Sequence, residues 1–238
     1  PVPGWRAMDL PAGCILRLGA CLRGARAMLA IGGGLEVPPV LGSASTDLRS
    51  GFGGHEGRAL RAGDRLRALG PSLAVARPAA VGGWVDPAPD LDFDVPALAR
   101  LLPGRDALAT PDPWRHAYRV AATSNRQGLR LQGPALALAE TGDRVSAAVL
   151  EGAVQLPPDG QPIVLLADAQ TIGGYPCIGH VARADLPRLA QLRPGDELRF
   201  TPIDAMGAEV LACRQRERLA RIALAAEQAR RLDLRKDR

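Results

Sequence analysis

Gly152–Ile178 reads GAVQLPPDGQPIVLLADAQTIGGYPCI, and it joins a turn, a buried strand and an exposed polar loop without a break. Pro157-Pro158-Asp159-Gly160 is a turn by mechanism: proline presets φ, aspartate bonds its own backbone, and glycine takes the position with φ > 0. The run Ile163–Ala167 (IVLLA) is too short to span a membrane and rich enough in branched residues to be a strand buried on both faces. Beyond Asp168 come Gln170 and Thr171, then Gly173-Gly174-Tyr175-Pro176, where two glycines let backbone approach a ligand closely.

Working outward, 27 glycines and 21 prolines in 238 residues punctuate the chain at intervals that suit short strands. An apolar content of 47% supplies one large or two ordinary cores. Aromatic residues are only 3%, so there are few rings on which bases stack, which argues against a single-strand nucleic-acid binder. The net charge of +5 is concentrated beyond Ala205, where nine basic residues face five acidic ones. The remaining body is close to neutral, and no general basic face for nucleic acid or membrane is expected. Lys236 is the one lysine, which removes Walker-type phosphate loops and Schiff-base chemistry. Cys14, Cys21, Cys177 and Cys213 form no C-x-x-C pair. We expect free thiols in a reduced, cytoplasmic protein.

Leu10–Gly19 and Ala25–Ile31 read as a turn and two short strands, the second largely buried. Val37–Gly57 is a Gly-, Ser- and Pro-rich loop, expected to be ordered by Leu41, Leu48 and Phe52. LRAGDRL at Leu60–Leu66 and LRPGDEL at Leu192–Leu198 share five of seven residues and point to an internal duplication, each copy feeding a short strand. Between them, 71–94 has no period and reads as a linker. Asp94–Leu102 reads as a short helix with Asp94 as N-cap, Ala117–Ala121 as a strand, and Asp185–Leu192 as a capped helical turn. From Ala205 to Leu234 apolar residues recur at helical spacing.

Candidate chemistry falls in three places. Gly51, Gly53 and Gly54 flank Phe52 and could present backbone amides as an anion-binding nest. Ser124, Asn125, Arg126 and Arg130 combine two short hydrogen-bonding side chains with two guanidinium forks suited to a carboxylate or phosphate. Gln155, Gln170, Thr171 and Tyr175 are neutral donors and acceptors of the kind that hold an amide or urea-like group. His55, His116 and His180 lie far apart, and the Cys177/His180 spacing lacks two further ligands, so no metal site is expected.

Four blocks carry a resemblance: VPPVLGSASTDLRSGFGGHEGRALRAGD (Val37–Asp64), TSNRQGLRLQGP (Thr123–Pro134), the opening stretch, and LPRLAQLRPGDELRF (Leu186–Phe200). In order and content they resemble the biotin-dependent carboxyltransferase family, which includes the 5-oxoprolinase C subunit, KipA-type proteins and allophanate hydrolase subunit 2. Gln127, Ile172 and His55 stand where the family usually has methionine, threonine and an aromatic. The resemblance implies a mainly β protein of tandem cyclophilin-like β-barrel domains, the first incomplete, with a C-terminal helix. It divides the chain into a partial first barrel (1–70), a linker (71–94), a second barrel (95–204) and a basic helix (205–238). Set beside the family, the chain, which begins at Pro1, is expected to lack an N-terminal segment with a glycine-rich motif.

The activity the resemblance implies is that of the C subunit in an ATP-dependent 5-oxoprolinase, opening 5-oxo-L-proline to L-glutamate. A homologous B subunit together with a larger A subunit would be the expected partners, and ATP acts at the level of the complex. Under this reading Arg126 and Arg130 hold anions, while Gln155, Gln170, Thr171, Gly173, Gly174 and Tyr175 shape the amide pocket. Two alternatives stay open. One is a biotin-dependent carboxyltransferase acting on a urea-like nitrogen, with biotin arriving on another chain; the other is a non-enzymatic, KipA-like regulator of a sensor-kinase inhibitor.

Overall fold

The computed structural model describes residues 4–8, 10–69, 85–87, 91–93, 95–140, 142 and 144–236. The chain divides into two compact units, one of Pro1–Arg6, Ile15–Ala27 and Gly83–Ala229, the other of Ala7–Cys14, Met28–Gly82 and Arg230–Arg238. The linker expected over 71–94 lies largely outside the described residues, as does Asp94.

In the larger unit, strands β3 (Ala97–Pro103), β4 (Ala117–Val120), β5 (Gly128–Gln132), β7 (Ala153–Gln155), β8 (Ile163–Leu165), β10 (Cys177–Val181) and β11 (Glu197–Pro202) close into a barrel in the order β10-β3-β11-β4-β5-β8-β7. Closure removes the unpaired edges that an open sheet of this size exposes. Only β3 and β11 run parallel; every other pair in the ring is antiparallel. Alternate residues fill the interior: Ala99 and Leu101, Leu198 and Phe200, Tyr118 and Val120, Leu129 and Leu131, Val154, Val164 and Ile178 are all buried. With so few aromatics the three rings there are grouped. Phe200 lies 5.3 Å from Trp114 and 5.9 Å from Tyr118, centroid to centroid, and the Tyr118 hydroxyl donates to Pro134 O at 3.2 Å.

The expected turn at Pro157–Gly160 is present, with Gly160 N–H bonded to Pro157 O at 3.0 Å and Gly160 at φ 71°. It delivers the chain into β8, where Val164, Leu165 and Leu166 are buried and Ala167 is exposed.

Asp94–Leu102 is a correction: Ala97–Pro103 is strand β3, not helix. Its buried residues Ala97, Ala99 and Leu101 alternate, and pairing with β10 and β11 overrides the helical preference of alanine and leucine. In the Asp185 region a short 3-10 turn (Arg183–Asp185) leads into helix α1 (Leu186–Leu189), but Asp185 makes no side-chain cap. Its carboxylate instead accepts from Arg100 N–H at 2.7 Å and from the Arg100 guanidinium, fixing this turn to β3. Leu186, Leu189 and Leu192 complete the barrel core. Helix α2 (Ala205–Lys236) begins where Asp204 Oδ1 accepts from Gly207 N–H at 2.7 Å.

The two strands expected in 10–31 are absent among the described residues: Ile15, Leu18, Met28 and Leu29 are exposed, and no ladder pairs with them. A short apolar run becomes a strand only where a neighbour takes up its backbone groups.

In the smaller unit, β1 (Thr46–Asp47) and β2 (Phe52–Gly53) form a two-stranded hairpin. Leu41, Leu48 and Phe52 do not anchor this loop, being 94%, 42% and 41% exposed. Polar bonds hold it: Asp47 Oδ1 accepts from Arg49 N–H and Ser50 N–H at 2.9 and 3.0 Å, and Arg58 bridges Glu56 and Asp64. Those guanidinium bonds, with a backbone bond from Arg61, hold the Asp64 carboxyl far below the usual range.

Candidate functional site

The outer face of the barrel carries the candidate site. On β7, Val154 points into the core, so its neighbours Ala153 and Gln155 face outward, beside Leu165 on β8 and Cys177 on β10. A two-stranded ribbon, β6 (Ala147–Ala148) with β9 (Ile172–Gly173), lies over this face and buries it. A small apolar cluster of Val149, Ala153, Leu165 and Cys177 results. Gln155 is 1% exposed beside it, and its Nε2 has no hydrogen-bond partner among the described residues. The ribbon rests on that atom: a Cβ at Gly173 would lie 2.5 Å from Gln155 Nε2 and 3.4 Å from Val149 Cγ1. Gln170 Nε2 reaches Gln155 Oε1 at 3.5 Å from the loop before the ribbon.

At the ribbon's edge is an open pocket of about 110 Å³, walled by Arg105, Val149, Gly173, Tyr175, Cys177 and His180 together with Ala147 and Ala148. Its back wall is set by Asp106, whose carboxylate accepts from Cys177 N–H at 2.7 Å and from Arg144 Nε at 2.9 Å, with Arg105 Nε 3.6 Å away. Burial opposes ionisation of Asp106, yet the Arg144 guanidinium and the Cys177 amide outweigh it and lower its pKa. Cys177 Sγ lies 3.7 Å from His180 Nε2. Burial pushes the thiol up and the imidazole down, so both are neutral at pH 7 and the pair is no thiolate–imidazolium nucleophile. The pocket therefore offers neutral polar groups and one exposed cation, Arg105, at its wall. No cluster of metal-ligating side chains occurs among the described residues.

Of the other expected residues, Ser124, Asn125 and Arg126 sit in the β4–β5 turn, and Arg130 lies within β5 opposite Ile163 of β8. Ser124 Oγ accepts from Arg130 N–H at 3.0 Å, and Asn125 Oδ1 accepts from Gln127 N–H at 2.8 Å, so these two side chains build the turn. Arg126 forms an exposed pair with Asp168 at 3.2 Å. Asp168 is two residues from Gln170, so the turn adjoins the loop leading to the ribbon, but neither arginine walls the pocket. Thr171 O accepts from Val149 N–H at 2.9 Å, and Gly174 is exposed beside Ser146. In the smaller unit, Gly51, Gly53 and Gly54 all have positive φ, but the Gly51 N–H is already bonded to Asp47 O at 2.9 Å. At Gly54 the lack of a side chain makes room for Thr46, whose Oγ1 a Cβ would overlap at 1.9 Å.

The profile of the carboxyltransferase domain, subdomain A and B, matches residues 1–202. This chain belongs to that family. The carboxyltransferase-domain relatives include the 5-oxoprolinase C subunit of Escherichia coli strain K12, 38% identical over 89% of this chain and 66% of its own length. The Haemophilus influenzae protein of the same name is 37% identical over 89% of this chain and 67% of its own. Among solved structures, the urea amidolyase of K. lactis superposes with a TM-score of 0.60 and 26% identity, over 76% of this chain and 12% of that one. The chain thus spans about two thirds of its bacterial relatives and a small part of the fungal one.

Arg105, Asp106, Cys177 and His180 are not foreseen in the sequence as parts of one pocket wall. The signal for the first two was Gly104-Arg105-Asp106 directly after β3. A Cβ at Gly104 would lie 2.3 Å from Cys177 O, so that glycine lets the two segments touch.

Proposed function

We propose that this chain is the C subunit of an ATP-dependent 5-oxoprolinase, hydrolysing 5-oxo-L-proline to L-glutamate together with a homologous partner chain and a larger one. The observation that carries this reading is the 37–38% identity to two proteins of that name across 89% of the chain. The neutral outer-face pocket supports it chemically, since a lactam is an uncharged amide and its carboxylate suits Arg105. Amide resonance makes the ring inert. Transfer of the ATP γ-phosphoryl group to the carbonyl oxygen, with ADP leaving, gives a carbon that water attacks. The C–N bond then breaks to leave an acyl phosphate, which a second water hydrolyses to the glutamate carboxylate and free phosphate. Exposed guanidinium groups such as Arg126 and Arg130 would hold the anionic parts.

A second reading, carboxyl transfer from a biotin carried by another chain to a urea-like nitrogen, is favoured by the fold likeness to urea amidolyase. One experiment separates them: the chain is purified in complex with its partners and supplied with 5-oxo-L-proline and ATP, with and without a biotinylated carrier. Biotin-independent glutamate release is expected. Turnover of urea that requires the carrier, with none of 5-oxo-L-proline, overturns the first reading.

A further inference from the structure

We infer that Gln155 is the carbonyl-recognition residue of the site and that Gly173 is its gate. This deepens the reading above and rests on its amide substrate. A primary amide with a buried, unpaired N–H costs stability, and natural cores seldom keep one without a use. Gln155 Nε2 is such a group: 1% exposed, without a partner among the described residues, and directly behind Gly173 and Cys177, two walls of the pocket. Gln170 Nε2 lies 3.5 Å from the Gln155 oxygen, and the Gln155 nitrogen faces Gly173 on the ribbon. What such a nitrogen lacks is an acceptor. A ligand carbonyl supplies one.

The residue covering it is a glycine on a ribbon whose strands are two residues each, the kind of element that opens at little cost. A side chain there would press on Nε2 at 2.5 Å. The pocket, about 110 Å³, is far smaller than the roughly 300 Å³ of a typical drug-sized site. It suits a molecule of a few heavy atoms, and the ribbon must lift for its carbonyl to reach Gln155.

The test compares 5-oxo-L-proline with L-proline, which has the same carboxylate and no ring carbonyl, binding each to the full chain by calorimetry. Urea and 2-pyrrolidone are run as further probes. The unchanged chain is expected to prefer 5-oxo-L-proline at least about tenfold. Gln155→Leu is expected to erase that preference while raising the ligand-free Tm by a few degrees, because the unpaired donor is gone. Gly173→Ala is expected to erase it with the Tm little changed, since the flexible end of Gln155 can yield. A preference for urea or 2-pyrrolidone that vanishes in both variants upholds the inference and sinks the oxoprolinase reading. A preference that survives Gln155→Leu, a fall in Tm on that change, or no binding of any carbonyl probe overturns the inference.

Discussion

Replacing Asp106 by alanine tests whether the pocket's back wall is held by one carboxylate. In the intact chain that group accepts from the Cys177 amide at 2.7 Å and from Arg144 Nε at 2.9 Å, with its side chain 9% exposed. A hydrogen bond from a buried amide to a charged acceptor is worth about 1.5–3 kcal/mol. Arg144 keeps bonds to the Glu140 and Gly142 carbonyls, so its loss adds only about 0.5–1 kcal/mol. Asp106→Ala should therefore destabilise by about 2–4 kcal/mol in urea denaturation, and hydrogen exchange at the Cys177 amide should accelerate. Asp106→Asn keeps an acceptor for that amide and should cost about half as much. The sign with pH follows from the lowered carboxyl pKa. The contribution is fully present above the unfolded value near 4 and is lost as pH falls through the folded value. The gap between the intact chain and Asp106→Asn should narrow over the acid range below about pH 4. A gap that stays constant over that range, or unaltered exchange at Cys177 in Asp106→Ala, refutes the reasoning.

Arg126→Ala should change stability by less than about 1 kcal/mol, because Arg126 and Asp168 are both about half exposed; a large loss of complex activity with an unchanged urea midpoint would then report on anion binding. Asp185→Ala strands the Arg100 N–H and its guanidinium, which is one-third exposed and so partly rescued by water; a cost of about 2–4 kcal/mol in urea is expected, and one below about 1 kcal/mol would show that the 3-10 turn is held by apolar packing alone.

The sequence made legible those features whose causes are local. Pro157–Gly160 turns because of its own residues, and IVLLA is apolar enough that burial was the one outcome open to Val164, Leu165 and Leu166. Ala97–Pro103 shows the opposite case. Its alanines and leucines favour helix in isolation, and only β10 and β11, distant in sequence, make it a strand. The same distance hid the pocket wall. Arg105 and Asp106 meet Cys177 across some seventy residues of chain, and no spacing rule reports such a meeting. Gln155 and Tyr175 were visible as amide-handling types, but that Gln155 is sealed under Gly173 is a fact of ribbon packing. Ser124 and Asn125 looked like ligand contacts for the reason they make good turn formers: short polar side chains bond nearby backbone.

The repeated heptapeptide separates these two kinds of information. In LRAGDRL, Asp64 N–H bonds Arg61 O at 3.1 Å, Arg61 N–H bonds the Asp64 carboxylate at 2.7 Å, and Gly63 has φ 93°. In LRPGDEL, Asp196 N–H bonds Arg193 O at 3.0 Å, Arg193 N–H bonds the Asp196 carboxylate at 2.8 Å, and Gly195 has φ 94°. Five shared residues thus fix the same turn twice, with glycine taking the positive φ of a type II turn and Pro194 at the position before it. Past the turn the two copies diverge. Leu198 enters β11 fully buried between β3 and β4, whereas Leu66 is 39% exposed and its segment makes a single bridge, Ala68 to Leu35. A turn is encoded in the residues that make it; a strand also needs the neighbours that accept its hydrogen bonds, and those lie elsewhere in the chain.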